Sequence, residues 1–177
     1  MGCSFKLHGG TAAGLSAVLL LLAALTWLPG TLPLVGSKWP MVVIVVLLFP
    51  ISIAALVRMF LSGPDRHSVW LAFRCLPGNL QAVLGALVVS GVVLMLLSSV
   101  DAGNLQAAEV KDGRYFVFDT TPHARGTIEV SHSRYLAVLE SDQRSMLAIP
   151  GLILAGAAYV VFAAGELRRA DVGFRSS

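Results

Sequence analysis

Charge is what this sequence has least of. Of its 177 residues, 13% are charged and 56% hydrophobic, against roughly 25% and 45–50% in an ordinary soluble domain. That shortage excludes intrinsic disorder and a water-soluble globule. Cysteine is nearly missing. Cys3 and Cys75 stand in no redox or zinc spacing, which excludes a disulfide framework. A basic stripe is missing too. The net charge is +3, yet the 13 basic residues are scattered between apolar blocks, so nucleic acid is not an expected partner. The chain also has no Gly-x-Ser-x-Gly, no Walker loop and no zinc-protease helix motif, which removes the common hydrolase and nucleotidase signatures.

What is there comes in blocks. Residues 7–37 hold 31 positions without Asp, Glu, Lys or Arg; 39–57 hold 19, 75–100 hold 26, and 145–165 hold 21. About 20 apolar residues in a helix cross a hydrocarbon core about 30 Å thick. The blocks are continuously apolar rather than alternating, so helices satisfy their backbone groups in lipid where barrel strands do not fit the pattern. The sequence predicts an all-α membrane protein with four transmembrane helices, at about 11–28, 41–61, 80–100 and 146–165. The organisation is three membrane helices in 1–100, a soluble-looking segment in 101–145, and a last membrane helix with its tail in 146–177. Arginine outnumbers lysine ten to three, and Ala, Gly and Val abound, a bias associated with GC-rich bacterial genomes.

The first block lacks a clean small-x-small cleavage site after Pro29-Gly30, so a retained helix is expected rather than a signal peptide. The Met-Gly-Cys-Ser start has Lys6 where a myristoylation signal carries Ser or Thr, so an unmodified terminus is expected. Lys6, Arg58, Arg66, Arg74, Arg168, Arg169 and Arg175 fall on the terminal and 62–79 sides, whereas the 33–40 turn carries Lys38 alone. The positive-inside rule then places both termini in the cytoplasm of a plasma-membrane protein and 101–145 outside. Trp27, Trp39 and Trp70 sit near helix ends, where indoles favour the interface. The stretch Val69–Phe73, between Arg66 and Arg74, reads as a loop anchor or as a short surface helix. Pro50 predicts a kink in the second helix.

Ala82, Ala86 and Ser90 are spaced by four on the third helix, and Gly151 and Ala155 likewise on the fourth. Small residues let backbones approach in lipid. These five positions are therefore expected to pack the third helix on the fourth, with homodimerisation as the alternative. Apart from Arg58 at the end of the second, the predicted helix cores contain no Asp, Glu, Lys, Arg or His, which argues against a proton-coupled pump.

The outward segment should form a β-hairpin from Arg114–Asp119 and Thr127–Ser131, since both have strand composition and Pro122 and Gly126 mark a turn. A helix then follows, with Tyr135, Leu136 and Leu139 as its apolar stripe and Ser131 or Ser133 as its N-cap. It can run on into the last membrane helix, with Pro150 near the first membrane turn. So small a unit needs a packing partner. Tyr115, Phe116, Phe118 and Tyr135 are the candidate interaction surface.

The run Asp112-Gly113-Arg114-Tyr115-Phe116, with His123, Ile128-Glu129-Val130-Ser131, Tyr135 and Arg144 before a last apolar helix, resembles small bacterial multi-span membrane proteins of unassigned function. The resemblance covers about 35 residues and implies an outward hairpin and helix before the last span. It departs at Thr120-Thr121-Pro122, where those proteins have an Asn-rich run. It implies an architecture and brings no activity or ligand.

His123 and His132 with Asp119 and Glu129 are the one metal-like grouping, in no established zinc spacing. Ser131-His132-Ser133 lacks an orienting carboxylate, and capping accounts for its serines. No catalytic residue, cofactor or metal site is expected. The reading is a non-enzymatic accessory subunit of a membrane complex, whose partners are the lipid bilayer and a membrane protein or a second copy. A transporter or channel component lined by Ser52, Ser90, Ser98 and Ser99 is the alternative, and a membrane enzyme the second alternative.

Overall fold

The structure, a computed structural model, describes residues 3–28, 39–62 and 66–175. In chain order it contains α1 (Cys3–Leu25), α2 (Trp39–Ser62), α3 (Arg66–Arg74), α4 (Gly78–Ala102), β1 (Leu105–Lys111), β2 (Arg114–Asp119), β3 (Gly126–Glu129) and α5 (His132–Arg175). Helices α1, α2, α4 and α5 are each long and apolar enough to cross a membrane. The four uncharged blocks therefore do become four helices, and α3 lies where a surface helix was one of two readings. Lys38 and most of the 33–40 turn lie outside the described residues.

The boundaries differ in instructive ways. Helix α1 starts at Cys3, well before residue 11, because Gly9 and Gly10 do not break it. Gly9 is instead a site of close approach, since a Cβ there would lie 2.8 Å from the Phe162 ring. Helix α5 is continuous for 44 residues and contains Pro150. The expected outer helix and the expected last membrane helix are thus one element. Its N-cap is Ser131, whose Oγ accepts from the Arg134 N–H at 3.3 Å. Helix α2 likewise continues through Pro50.

The segment between α4 and α5 holds three strands, not the two of a hairpin. The sheet is antiparallel in the order β1-β2-β3. Strand β1 was not predicted, because Leu105-Gln-Ala-Ala-Glu-Val-Lys111 is rich in helix formers. Pairing with the aromatic β2 makes it a strand, from Leu105 opposite Asp119 to Lys111 opposite Arg114. Strand β3 is shorter than expected and ends at Glu129.

Helix α5 is the element on which the rest assembles. It touches α1, α2, α3 and α4 as well as β1 and β2. Within the apolar windows, 61% of α5 is buried but only 6% of α2, so α2 is a peripheral helix and α5 the central one. Composition explains this. Gly151, Ala155, Ala158, Ala163, Ala164 and Gly165 are small and buried, which allows neighbouring backbones close. A Cβ at Gly151 would sit 3.0 Å from Leu20, and one at Gly165 3.1 Å from Phe5, so the tightest partner is α1. Ser16 Oγ adds an interhelical hydrogen bond to the Gly151 carbonyl at 2.7 Å.

The expected small-residue face of the third membrane helix is not the one that meets α5. Ala82, Ala86 and Ser90 are exposed within the chain, while Leu84, Gly91, Leu94 and Ser98 are buried. Residues spaced by four rotate steadily around a helix, whereas the alternating three-and-four spacing of 84, 87, 91, 94 and 98 keeps one seam on a neighbour.

Candidate functional site

The polar chemistry of the molecule gathers where the C-terminal ends of α1 and α4 and the N-terminal part of α5 meet the sheet. Its centre is Arg144, whose side chain is 2% exposed. Its Nη1 donates to Asp101 Oδ2 at 2.6 Å, and its Nε donates to Thr26 Oγ1 at 3.2 Å. The guanidinium carbon lies 4.5 Å from the centroid of the Trp27 ring, a cation–π contact. Thr26 Oγ1 donates in turn to the Ala23 carbonyl at 2.8 Å. One side chain from α5 is thereby tied to α4 and to the end of α1. Beside it, Ser141 Oγ donates to the Ser98 carbonyl at 2.8 Å, a second polar tie between α5 and α4. A buried charge is tolerated when it is paired and hydrogen-bonded, and all these contacts serve that condition.

Arg144 stands 21 residues before Gly165 along α5, about 32 Å at 1.5 Å per residue, close to the hydrocarbon thickness. At the Gly165 end, Arg58 of α2 lies 4.6 Å from the Phe5 ring centroid and donates to Ser4 Oγ at 2.8 Å. The two arginines mark the two rims of the apolar bundle.

The sheet is fixed to α5 through β1. Between Gln106 and Glu109 the register shifts by one residue, so Ala107 and Ala108 together oppose Val117, and Ala107 takes a φ of +54°. Such a bulge turns successive N–H groups one way. Asp142 of α5 fills that concavity, its Oδ2 accepting from the Ala108 N–H at 3.2 Å. Val117, fully buried, points from β2 toward the helix.

Of the predicted surface aromatics, two are engaged inside the chain. Tyr115 stacks obliquely on Tyr135 at 5.0 Å and on His132 at 4.7 Å. Phe116 and Phe118 lie on the opposite sheet face by strand alternation and are half-buried. Gly151 and Ala155 are buried in α5, and Ser90 lines an apolar cleft. That cleft, about 410 Å³, opens between α1 and α4 and includes Leu20, Trp27, Leu87 and Leu94.

Among the described residues no three His, Cys, Asp or Glu side chains form a group that could hold a metal. Ser98 and Ser99 donate to the carbonyls of Leu94 and Met95 in their own helix. Sequence reasoning missed the Arg144 assembly because it looked for charge inside the apolar blocks. The signal lay at their ends: Arg144 and Asp101, of opposite sign, each abut an uncharged block on the same side.

No family model matches this chain, and neither the curated proteins nor the solved structures include a match.

Proposed function

We propose that this chain is a multi-pass plasma-membrane protein acting as a non-enzymatic accessory subunit, one that holds a small outward sheet in a fixed place for a protein partner. The observation that carries this reading is the rigid mounting of the sheet. Asp142 and Tyr135 of α5 grip β1 and β2, and the same unbroken helix continues to the opposite rim. Polar side chains are spent on joining elements: Arg144, Ser141 and Ser16 all bond to neighbouring helices.

The proposed orientation puts the N-terminus, α3 and the C-terminal end of α5 in the cytoplasm. Lys6, Arg58, Arg74, Arg168 and Arg169 then gather on the inner side, where basic residues are favoured. The Arg144–Asp101 pair lies at the outer rim.

Purification of the tagged protein in mild detergent tests the reading. A stoichiometric membrane-protein complex is expected. A chain that purifies alone and renders liposomes permeable to ions would overturn it.

A further inference from the structure

The cleft between α1 and α4 stops halfway along the bundle. Its lining is apolar side chains and the Ser90 hydroxyl, and the exposed Ala17 and Ser90 leave it open on the flank of the bundle. From Ala17 to Trp27 it runs about 15 Å at 1.5 Å per residue, half of a hydrocarbon core about 30 Å thick. One end is the Trp27 ring, which lies against Arg144 at the rim. Beyond the other end the groove is closed. There Ala12 and Ala13 of α1, Leu80 and Leu84 of α4 and Phe162 of α5 form one packed apolar cluster.

This depth decides between occupants. A membrane helix, from a second copy or another protein, crosses both leaflets and needs a groove of full length. An acyl chain belongs to one leaflet, is apolar throughout, and bends to follow an irregular wall. An apolar wall without a partner loses its dispersion contacts, and in a bilayer the chains of neighbouring lipids supply them.

The rim above the cleft selects a headgroup. Asp101 gives Oδ2 to Arg144, and its side chain is half exposed. Its Oδ1 has no partner among the described residues. Glu140 stands one turn before Arg144 on the same face of α5. Among the described residues, two carboxylates thus flank one guanidinium, which leaves the rim short of positive charge and of N–H donors.

We propose that the cleft is a phospholipid site, which takes one acyl chain between α1 and α4 and receives a primary ammonium headgroup on Asp101. The proposal goes beyond the accessory role and rests only on the four helices crossing a bilayer.

The test uses the full chain in mild detergent, stripped of lipid and then supplied with phosphatidylethanolamine, phosphatidylcholine or phosphatidylglycerol of identical chains. Native mass spectrometry is expected to show one phosphatidylethanolamine per chain. Phosphatidylcholine, whose ammonium has no N–H, and phosphatidylglycerol, which has no cation, should each bind about ten-fold less, the worth of one hydrogen bond to a charged group. Ala17→Leu with Ser90→Leu fills the cleft from two exposed positions and should lower bound phosphatidylethanolamine about ten-fold. Val89→Leu, exposed on α4 outside the cleft, should leave binding unchanged. Added phosphatidylethanolamine should raise the thermal midpoint of the wild-type and Val89→Leu chains but not of the filled variant. Equal binding of the three headgroups, or binding that survives the filled cleft, would overturn the proposal. So would a dimer or a co-purified protein that is lost with Ser90→Leu, since a helix then occupies the cleft. No bound lipid on a chain that needs detergent for extraction would overturn the proposal and keep the membrane reading. A chain recovered from cells without detergent would remove both.

Discussion

Arg144 carries its charge into the bundle, where Asp101, Thr26 and Trp27 surround it. The two ends of the pair are unequal, for Asp101 is 49% exposed and Arg144 is 2%. Removing the carboxylate leaves a buried cation without its counter-charge, whereas removing the cation leaves a carboxylate that water reaches. Asp101→Asn should therefore destabilise the detergent-solubilised protein by about 2–3 kcal/mol and cost more than Arg144→Met. The double variant should be no worse than Arg144→Met alone. Thermal unfolding of the three variants checks this, and additive losses would refute it. Asp119 makes a pH prediction. The Thr121 hydroxyl and N–H donate to its Oδ1 at 2.5 and 2.8 Å, which holds its carboxyl below the ordinary carboxylate range. A depressed folded value contributes stability above the unfolded pKa, lost as pH falls through the folded one. Thr121→Val should move the Asp119 NMR titration midpoint upward; an unmoved midpoint would reject the assignment. Of these residues the sequence offered only the kinds and their places at block ends. Which of seven acidic residues in 101–145 meets Arg144 depends on how helices rotate about their axes, and charge position alone leaves that open.

Among the elements, the contrast between Gly9 and Gly10 separates contact from propensity. A Cβ at Gly9 meets the Phe162 ring at 2.8 Å, and one at Gly10 meets nothing within 4 Å. Gly9→Ala should destabilise by about 1–3 kcal/mol through overpacking. Gly10→Ala should be neutral or stabilising by up to about 1 kcal/mol, since Ala is the better helix former. Denaturation of both variants in the same micelle decides between them. The helices were legible because length and missing charge are properties of a contiguous stretch. Strand β1 was not, because its conformation comes from its neighbour: Ala107, at φ +54°, is held there by pairing and by α5 rather than by its own preference. The packing seam of α4 was hidden for the same reason. Small residues at Ala82, Ala86 and Ser90 advertise a face, but the long three-and-four seam through Leu84, Gly91, Leu94 and Ser98 is what α5 selects.

For the whole molecule, the proposed orientation makes a direct prediction. With Cys3 and Cys75 replaced, Ala124→Cys in the exposed turn should react with an impermeant thiol reagent in intact cells, and Gly173→Cys should react only after permeabilisation. Labelling of both from one side would refute the topology. The overall architecture of four long apolar helices, with one structured segment before the last, was readable from the distribution of charge. The arrangement around α5 was not, because the Ala- and Gly-rich run of 151–165 announces close packing without naming its partners.

That arrangement also sets an order of events. Helix α5 follows all of its partners in the chain, with its end 150 positions after that of α1 (Leu25 to Arg175). At translation rates of about 5–20 residues per second, α1 waits roughly 8–30 s for the surface it packs against. During that interval Gly9 has no Phe162 to receive, Ser16 has no Gly151 carbonyl, and Asp101 has no Arg144. Assembly of this bundle is therefore a closing step rather than a gradual one: synthesis halted before Arg144 would leave the earlier helices with unfilled polar positions.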